Sequence, residues 1–395
     1  MREDASLERD RRLNNFDLLR FVAASMVIGS HSFPLSGSTR EPLRDLTGFG
    51  TFGTLGVRMF FVISGYLVTQ SLLRSSTVLS FAAKRILRIL PALIVVVLLA
   101  ALVVGPLITS LTPSEYFARP QTQRYITHNI AMSPTIYRLP GVFRSNTYGP
   151  AVNGSIWTLP YEMALYIVLA VLAIGIKRSR IVVLGLFVCL FLLQLHPIPH
   201  PIVIDHLALR RFVKLGLFFF AGSLLYLYRE LLPPNKKVAG LLALLFVASF
   251  RTQYSLLVSF FTLPYLVIWL AHYRRLNTGW FSRHGDFSYG MYIYAFPVQQ
   301  LTVQMSGGHI RPFELFAIAF PVTLLLAFLS WHLVESPALS LKRSPRIQES
   351  WGSLARAWQG AWPHARDGES PAVEESSEPS VSQVDDLVDV DVKPE

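Results

Sequence analysis

Long apolar runs separated by short polar connectors dominate the chain, and the run from Phe81 to Leu111 is broken only by Lys84, Arg85 and Arg88. Runs of this length exceed core strands and ordinary core helices, so they predict membrane-spanning helices. Spans are predicted near 16–36, 51–74, 86–110, 156–176, 181–197, 212–228, 238–253, 255–273, 287–306 and 313–336. The seventh has only a short apolar stretch before Arg251, which suits a re-entrant or mismatched helix. The fold class is therefore an all-α integral membrane protein of about ten transmembrane helices. The segment 1–15 precedes the transmembrane domain at 16–340, and the Ser-, Glu- and Asp-rich stretch 347–395 is predicted to be a disordered acidic tail.

Composition agrees. Of the 395 residues, 52% are hydrophobic and 15% charged, against roughly 25% charged in soluble domains. The net charge of +11 does not point to nucleic acid, because the basic residues are spread through connectors. Arg74, Lys84, Arg85, Arg88, Arg229, Lys236 and Lys237 fall on one side, which predicts that side, and both termini, to be cytoplasmic. The single Cys189 supports no intramolecular disulfide, and the His196, His200 and His206 loop has no partner pattern for a metal. The loop at 111–155 is expected to act as a lid or docking surface. No repeat is visible along the chain.

Charges inside the bilayer cost about 2.5 to 3.5 kcal/mol each, so a first helix holding Asp17, Arg20 and His31 calls for an explanation. Arg20 and His31 are eleven residues apart, which returns them to one face about 16 Å apart along the axis. Arg85 and Arg88 share a face at the cytoplasmic edge of the third span, where paired guanidiniums suit a phosphate. Snorkelling anchors are the plainer reading of that cluster taken alone. Counted inward from the outer ends, His31, Arg58 and Glu162 lie at similar depth, so a catalytic layer can be drawn. In it His31 is a general base, Glu162 its orienter, and Arg58 an oxyanion or acceptor contact, with an Arg58 to Glu162 ion pair as the structural alternative. Ser64 and Gly65 would admit a close neighbour, either another helix or a slender cofactor arm.

These residues resemble the acyltransferase family 3 membrane proteins of the O-antigen and exopolysaccharide O-acetylase type. NNFDLLRFVAASMVIGSH resembles the family's Asp-x-x-Arg opening with a histidine eleven residues after the arginine. RMFFVISGYL, KRILRILPAL and NGSIWTLPYEM resemble its next three motifs, in order. The resemblance implies transfer of an acyl group, most often acetyl from acetyl-CoA, to a carbohydrate or lipid-linked glycan across the bacterial inner membrane. It implies Arg20, Arg85, Arg88, Ser64 and Gly65 for acyl-CoA, Ser155 and Trp157 for the acceptor, and no metal. Membrane lipids are the expected surroundings, no nucleic acid partner is expected, and a homo-oligomer stays open. Two departures stand out: in FSYGMYIYAFPVQQL, Ala295 stands where many members have a histidine before the proline, and no fused esterase-like domain is expected after the membrane part. The rival readings are a secondary transporter of an anionic or glycan substrate, and a succinyl or macrolide acyltransferase of the same fold.

Overall fold

The computed structural model describes residues 14–75, 77–176, 180–196, 202–204, 206–273, 275 and 285–341. Among them, helices occupy each of the ten places where the apolar pattern predicts a span. These are α1 (Phe16–Leu35), α2 (Phe52–Leu73), α3 (Val78–Leu98), α4 (Leu159–Ile176) and α5 (Arg180–Leu195). They continue with α6 (Leu209–Leu227), α7 (Lys236–Ala248), α8 (Ser255–Ala271), α9 (Ser288–Met305) and α10 (Pro312–Ser330). Among the described residues, five helical stretches are long and apolar enough to cross a membrane: Phe16–Leu35, Phe52–Leu73, Val78–Ile108, Ser155–Leu172 and Pro312–Ser340. The segment 1–13 and the predicted tail lie outside the described residues.

Local chemistry sets the helix ends. Thr51 and Thr77 cap α2 and α3, accepting hydrogen bonds from the Thr54 and Ser80 amides at 3.0 Å. Because of the second cap, α3 begins eight residues before the predicted span, and its first turns are the less apolar part of the helix. The predicted weak seventh span is α7, 13 residues long. At 1.5 Å per residue it reaches about 20 Å, short of the roughly 30 Å hydrocarbon layer. Beyond it Arg251 turns back at a φ of 61° and donates to the Leu46 and Asp45 carbonyls, both at 3.0 Å. Those carbonyls lie in the last turn of the short helix Pro42–Thr47, so the side chain closes that helix end.

Between apolar helices in lipid there is little hydrophobic drive, and close backbone packing takes its place. A Cβ on Gly65 of α2 would lie 1.8 Å from the Phe219 carbonyl oxygen of α6, and one on Gly222 would lie 2.1 Å from that of Val62. Ser223 Oγ donates to the Gly65 carbonyl at 3.2 Å. Around this seam pack Val62, Ile63, Phe218, Phe219, Phe220 and Phe260, all fully buried. A second core joins α3 to the 111–155 segment through Leu93, Val97, Tyr116, Tyr125, Val142 and Phe143.

That segment carries the helices Pro113–Ala118 and Pro120–Ala131 and then folds as a packed cover. Tyr116 donates to the Ala101 carbonyl at 2.8 Å, in a π-helical stretch, Leu99–Val104, that continues α3. Gln300 of α9 binds the segment's far end, donating to the Ala151 carbonyl at 2.7 Å and accepting from Asn146 at 2.8 Å. The two-residue strands Val203–Ile204 and Leu207–Ala208 pair antiparallel just before α6.

Candidate active site

The stripe predicted on α1 exists, and both of its ends face α9. Toward the end of the bundle where α1 begins, Arg20 Nη1 lies 3.1 Å from Asp286 Oδ2 and 3.5 Å from Asp17 Oδ1. Arg88 of α3 reaches the same Asp286 oxygen at 2.5 Å with Nη2, and Glu335 Oε2 at 2.8 Å with Nη1. The other Asp286 oxygen accepts from the Ser288 amide at 3.2 Å and from the Ser288 hydroxyl. Glu335 is turned inward by the π-helical stretch Trp331–Glu335, and Ser330 donates to it at 3.0 Å. Two guanidiniums thus meet three carboxylates, and four elements are tied at one point.

Arg85 and Arg88, expected as one phosphate fork with Arg20 beside it, turn to different neighbours in this structure. Arg20 and Arg88 are already engaged, because a buried guanidinium needs a counter-charge and Asp286 and Glu335 supply it. Arg85 and Arg88 are three residues apart, a rotation of about 60° between their directions, and that is enough to send them to different neighbours. Arg85 Nη2 donates to Ser71 Oγ at 3.3 Å, its charge lies 5.9 Å from the Phe81 ring centre, and its Nε is buried with no hydrogen-bond partner. It is the guanidinium of this trio with no carboxylate within ion-pair distance.

Above Arg85, and within its electrostatic reach, sits Glu162. Ser64 Oγ donates to Glu162 Oε1 at 3.2 Å, and the Tyr166 hydroxyl donates to the same oxygen. Glu162 therefore does not orient His31 and does not pair with Arg58, contrary to the layer drawn from depth. Ser64 is six residues along α2 from Arg58, a rise of about 9 Å, so the carboxylate lies a turn and a half deeper than Arg58. Depth counted from span ends places Glu162 level with Arg58, whereas its hydrogen bonds place it beside Ser64, deeper along α2. Gly65, assigned to the cofactor, is instead filled by the α6 backbone.

At the other end of the stripe His31 meets Phe296 of α9 edge to face, 5.4 Å between ring centres, and its Nδ1 is buried without a hydrogen-bond partner. Phe296 follows Ala295, so the position next to the missing histidine supplies the ring that holds this one. A Cβ on Gly154 would lie 2.6 Å from Phe296, and neighbouring Ser155 has a buried Oγ with no partner. Asn153 fixes this corner, donating to the Ile293 carbonyl at 2.8 Å and accepting from the Ser155 amide at 3.1 Å. Gln299 donates to the Ile28 carbonyl at 2.9 Å and to Ser32 Oγ at 2.7 Å, pinning α1 to α9 one turn from the imidazole. Arg58 lies over the Phe49 ring at 4.3 Å and near that of Phe218 at 5.4 Å, with Nη1 buried and unpartnered. Trp157 stacks edge to face on Tyr161 and lies beneath Arg211 at 5.4 Å.

Sequence reasoning missed Asp286, Tyr166 and Phe296. For Asp286 a signal existed: an acid two residues before a serine at a helix start is a local turn former that also supplies negative charge. Tyr166 stands one turn after Glu162, the spacing at which helical side chains meet. Nothing in the pattern marked Phe296.

The model of acyltransferase family 3, an acyltransferase domain, matches residues 13–332. The chain is 34% identical over 347 residues to an O-acetyl transferase of Shigella phage Sf6, covering 85% of this chain and 98% of that one. It is 31% identical over 376 residues to Nodulation protein 10 of Rhizobium leguminosarum bv. viciae, covering 84% and 94%. A shorter likeness, 30% over 183 residues, links it to the regulator of hypoxia-inducible factor 1 of Caenorhabditis elegans, covering 41% and 34%. No solved structure matches. The matched region runs from the start of α1 into the end of α10 and so contains Arg20, Asp286 and His31, which places the chain in acyltransferase family 3 as a membrane acyltransferase.

Proposed function

We propose that the protein moves an acyl group, most simply acetyl, from acyl-CoA on the cytoplasmic side to a hydroxyl of an extracytoplasmic carbohydrate such as an exopolysaccharide or lipopolysaccharide unit. The enzyme would sit in the bacterial inner membrane with all ten helices crossing or entering the bilayer and both termini inside. The observation that carries this reading is one helical stripe with guanidiniums at its inner end and, about 16 Å away, an imidazole whose Nδ1 makes no hydrogen bond. Family membership turns that stripe toward acyl transfer and removes the transporter reading.

In this scheme Arg85 is the first phosphate ligand, since its donors are the ones not already satisfied by carboxylates. Arg20 and Arg88 shape the rim while remaining tied to Asp286. His31 takes the proton of the acceptor hydroxyl as its oxygen attacks the thioester carbonyl. The carbon–sulfur bond then breaks, and the imidazolium returns the proton to the departing thiolate. Arg58, caged by aromatic rings on α6 and in the loop before α2, serves as an acceptor contact rather than as an oxyanion donor. Ser155 and Trp157 line the same outer corner as Gly154.

The test is transfer of radiolabelled acetyl from acetyl-CoA to cell-surface polysaccharide by membranes containing wild-type protein or His31→Ala. The variant is expected to reach the membrane at normal level and to transfer nothing measurable. Wild-type turnover by that variant would remove His31 from the mechanism.

A further inference from the structure

The outer end of the bundle also holds a group of cations. Arg210, Arg211 and Lys214 stand within the first six residues of α6, on the side proposed above to face away from the cytoplasm. That placement runs against the bias that keeps lysine and arginine inside. Lys214 is half-buried and lies within electrostatic reach of both Arg210 and Arg58, so these three form one cluster of like charges, with Arg211 next along the helix over the Trp157 ring. Among the described residues, none of the four makes an ion pair, whereas Arg20 and Arg88 are each paired with carboxylates. The Arg58 aromatic cage offsets part of its burial, yet Nη1 still has no acceptor. A buried charged donor without a partner is costly, and mutual repulsion adds to the cost.

Aromatic groups frame the cluster. Trp157 lies under Arg211, Tyr161 meets Trp157 edge to face, and the Tyr161 hydroxyl accepts from the Ala208 amide at 3.0 Å, which anchors it at the start of α6. Tyr137, from the 111–155 segment, is within reach of the Arg211 charge. Unpaired cations beside fixed aromatic rings make a surface for a ligand with a negative group and an apolar ring face. A sugar acid or a sugar phosphate has both.

We propose that the acceptor is an anionic glycan, its carboxylate or phosphate held by Arg58, Lys214 and Arg210, with its sugar ring beside Trp157 and Arg211. This rests on the acceptor-side reading of the outer site given above. It narrows the substrate class from carbohydrates in general to those with a charge close to the acylated hydroxyl.

Binding separates this from acyl transfer. The full chain in phosphatidylcholine nanodiscs would be titrated, with no acyl donor, with three fluorescent oligosaccharides: trigalacturonate, its carboxyl-reduced trigalactose, and trigalactose bearing a 6-phosphate. At least one charged form is expected to bind about tenfold more tightly than trigalactose, and which one does so identifies the anion. In Arg58→Gln/Lys214→Gln the preference should collapse, and in Lys214→Arg it should survive, which shows that charge and not packing is read. Equal affinity for charged and neutral forms, no binding of either charged form, or an unchanged preference in the double variant would each overturn the inference. If charge preference is absent while radiolabelled acetyl transfer proceeds, this proposal alone falls. If preference is present and transfer is absent, the acyl-transfer scheme is the part that fails.

Discussion

The two ends of the α1 stripe solve opposite problems. At the inner end Arg20 and Arg88 share Asp286, and Glu335 closes the set, so these two buried charges are matched within the protein. At the outer end the His31 Nδ1 and the Arg58 Nη1 are buried without partners. A matched network fixes helices, because removing either member strands the other. An unmatched group is costly at rest and gains only when something arrives, which is the behaviour of a binding or catalytic atom. The difference assigns architecture to the Arg20–Arg88–Asp286–Glu335 network and chemistry to His31 and Arg58, with Arg85 beside the network as the inner group left open, and each claim can be broken separately.

The largest effect belongs to the outer end and to activity alone. His31→Ala should lower turnover by about 10²–10⁴-fold, the usual worth of a positioned general base. It gives up one ring contact with Phe296 and no hydrogen bond, so the melting temperature in detergent should hardly move. A variant that unfolded instead would turn the imidazole into a structural group and erase the contrast.

Next comes Asp286→Ala, whose effect should be on stability. Both Arg20 and Arg88 would lose their shared carboxylate, at a cost of about 3–5 kcal/mol for breaking a buried pair from one side. Thermal unfolding of the purified protein measures this. Glu335→Gln should cost less, since Arg88 keeps Asp286. A harmless Asp286→Ala would mean that the inner end is not the fastening inferred here.

How far the sequence could carry this picture follows from what each feature depends on. The helices and the α1 stripe were legible because they rest on local period: apolar runs of fixed length, and eleven residues returning Arg20 and His31 to one face. The structure turns both toward α9. The partners were not legible, because Asp286 is 266 residues from Arg20 and no period spans that distance. Depth counting suggested a layer of His31, Arg58 and Glu162. Depth within one helix does not say which neighbour a side chain meets, and the packing of α4 on α2 leaves Glu162 with Ser64. Gly65 was ambiguous in principle, since a glycine admits a cofactor or a helix equally well, and only the position of Phe219 decides.

That decision yields a smaller stability effect midway between the two ends. Gly65→Ala places a methyl 1.8 Å from the Phe219 carbonyl oxygen, so α2 and α6 must separate. Overpacking of this kind costs about 1–3 kcal/mol. Gly240→Ala in α7, where a Cβ would meet nothing within 4 Å, is the control and should be neutral or slightly stabilising. Equal melting temperatures for the two variants would show the α2–α6 seam to be looser than described.

The smallest effect tests whether the middle of the bundle is coupled to either end. Glu162→Gln keeps an oxygen that can accept from Ser64 and Tyr166, so stability should change by less than about 1 kcal/mol. If Glu162 oriented His31, losing its charge would move the midpoint of the pH profile of kcat/KM. Because the carboxylate bonds Ser64 and Tyr166 and not the imidazole, the midpoint should stay where it is in the wild type. What the charge does reach is Arg85, so the expected change is in KM for acyl-CoA and not in the proton-transfer step. A midpoint displaced by about half a unit, worth about 0.7 kcal/mol, would restore the coupling to His31 and dissolve the separation between a fastened inner end and a reactive outer one.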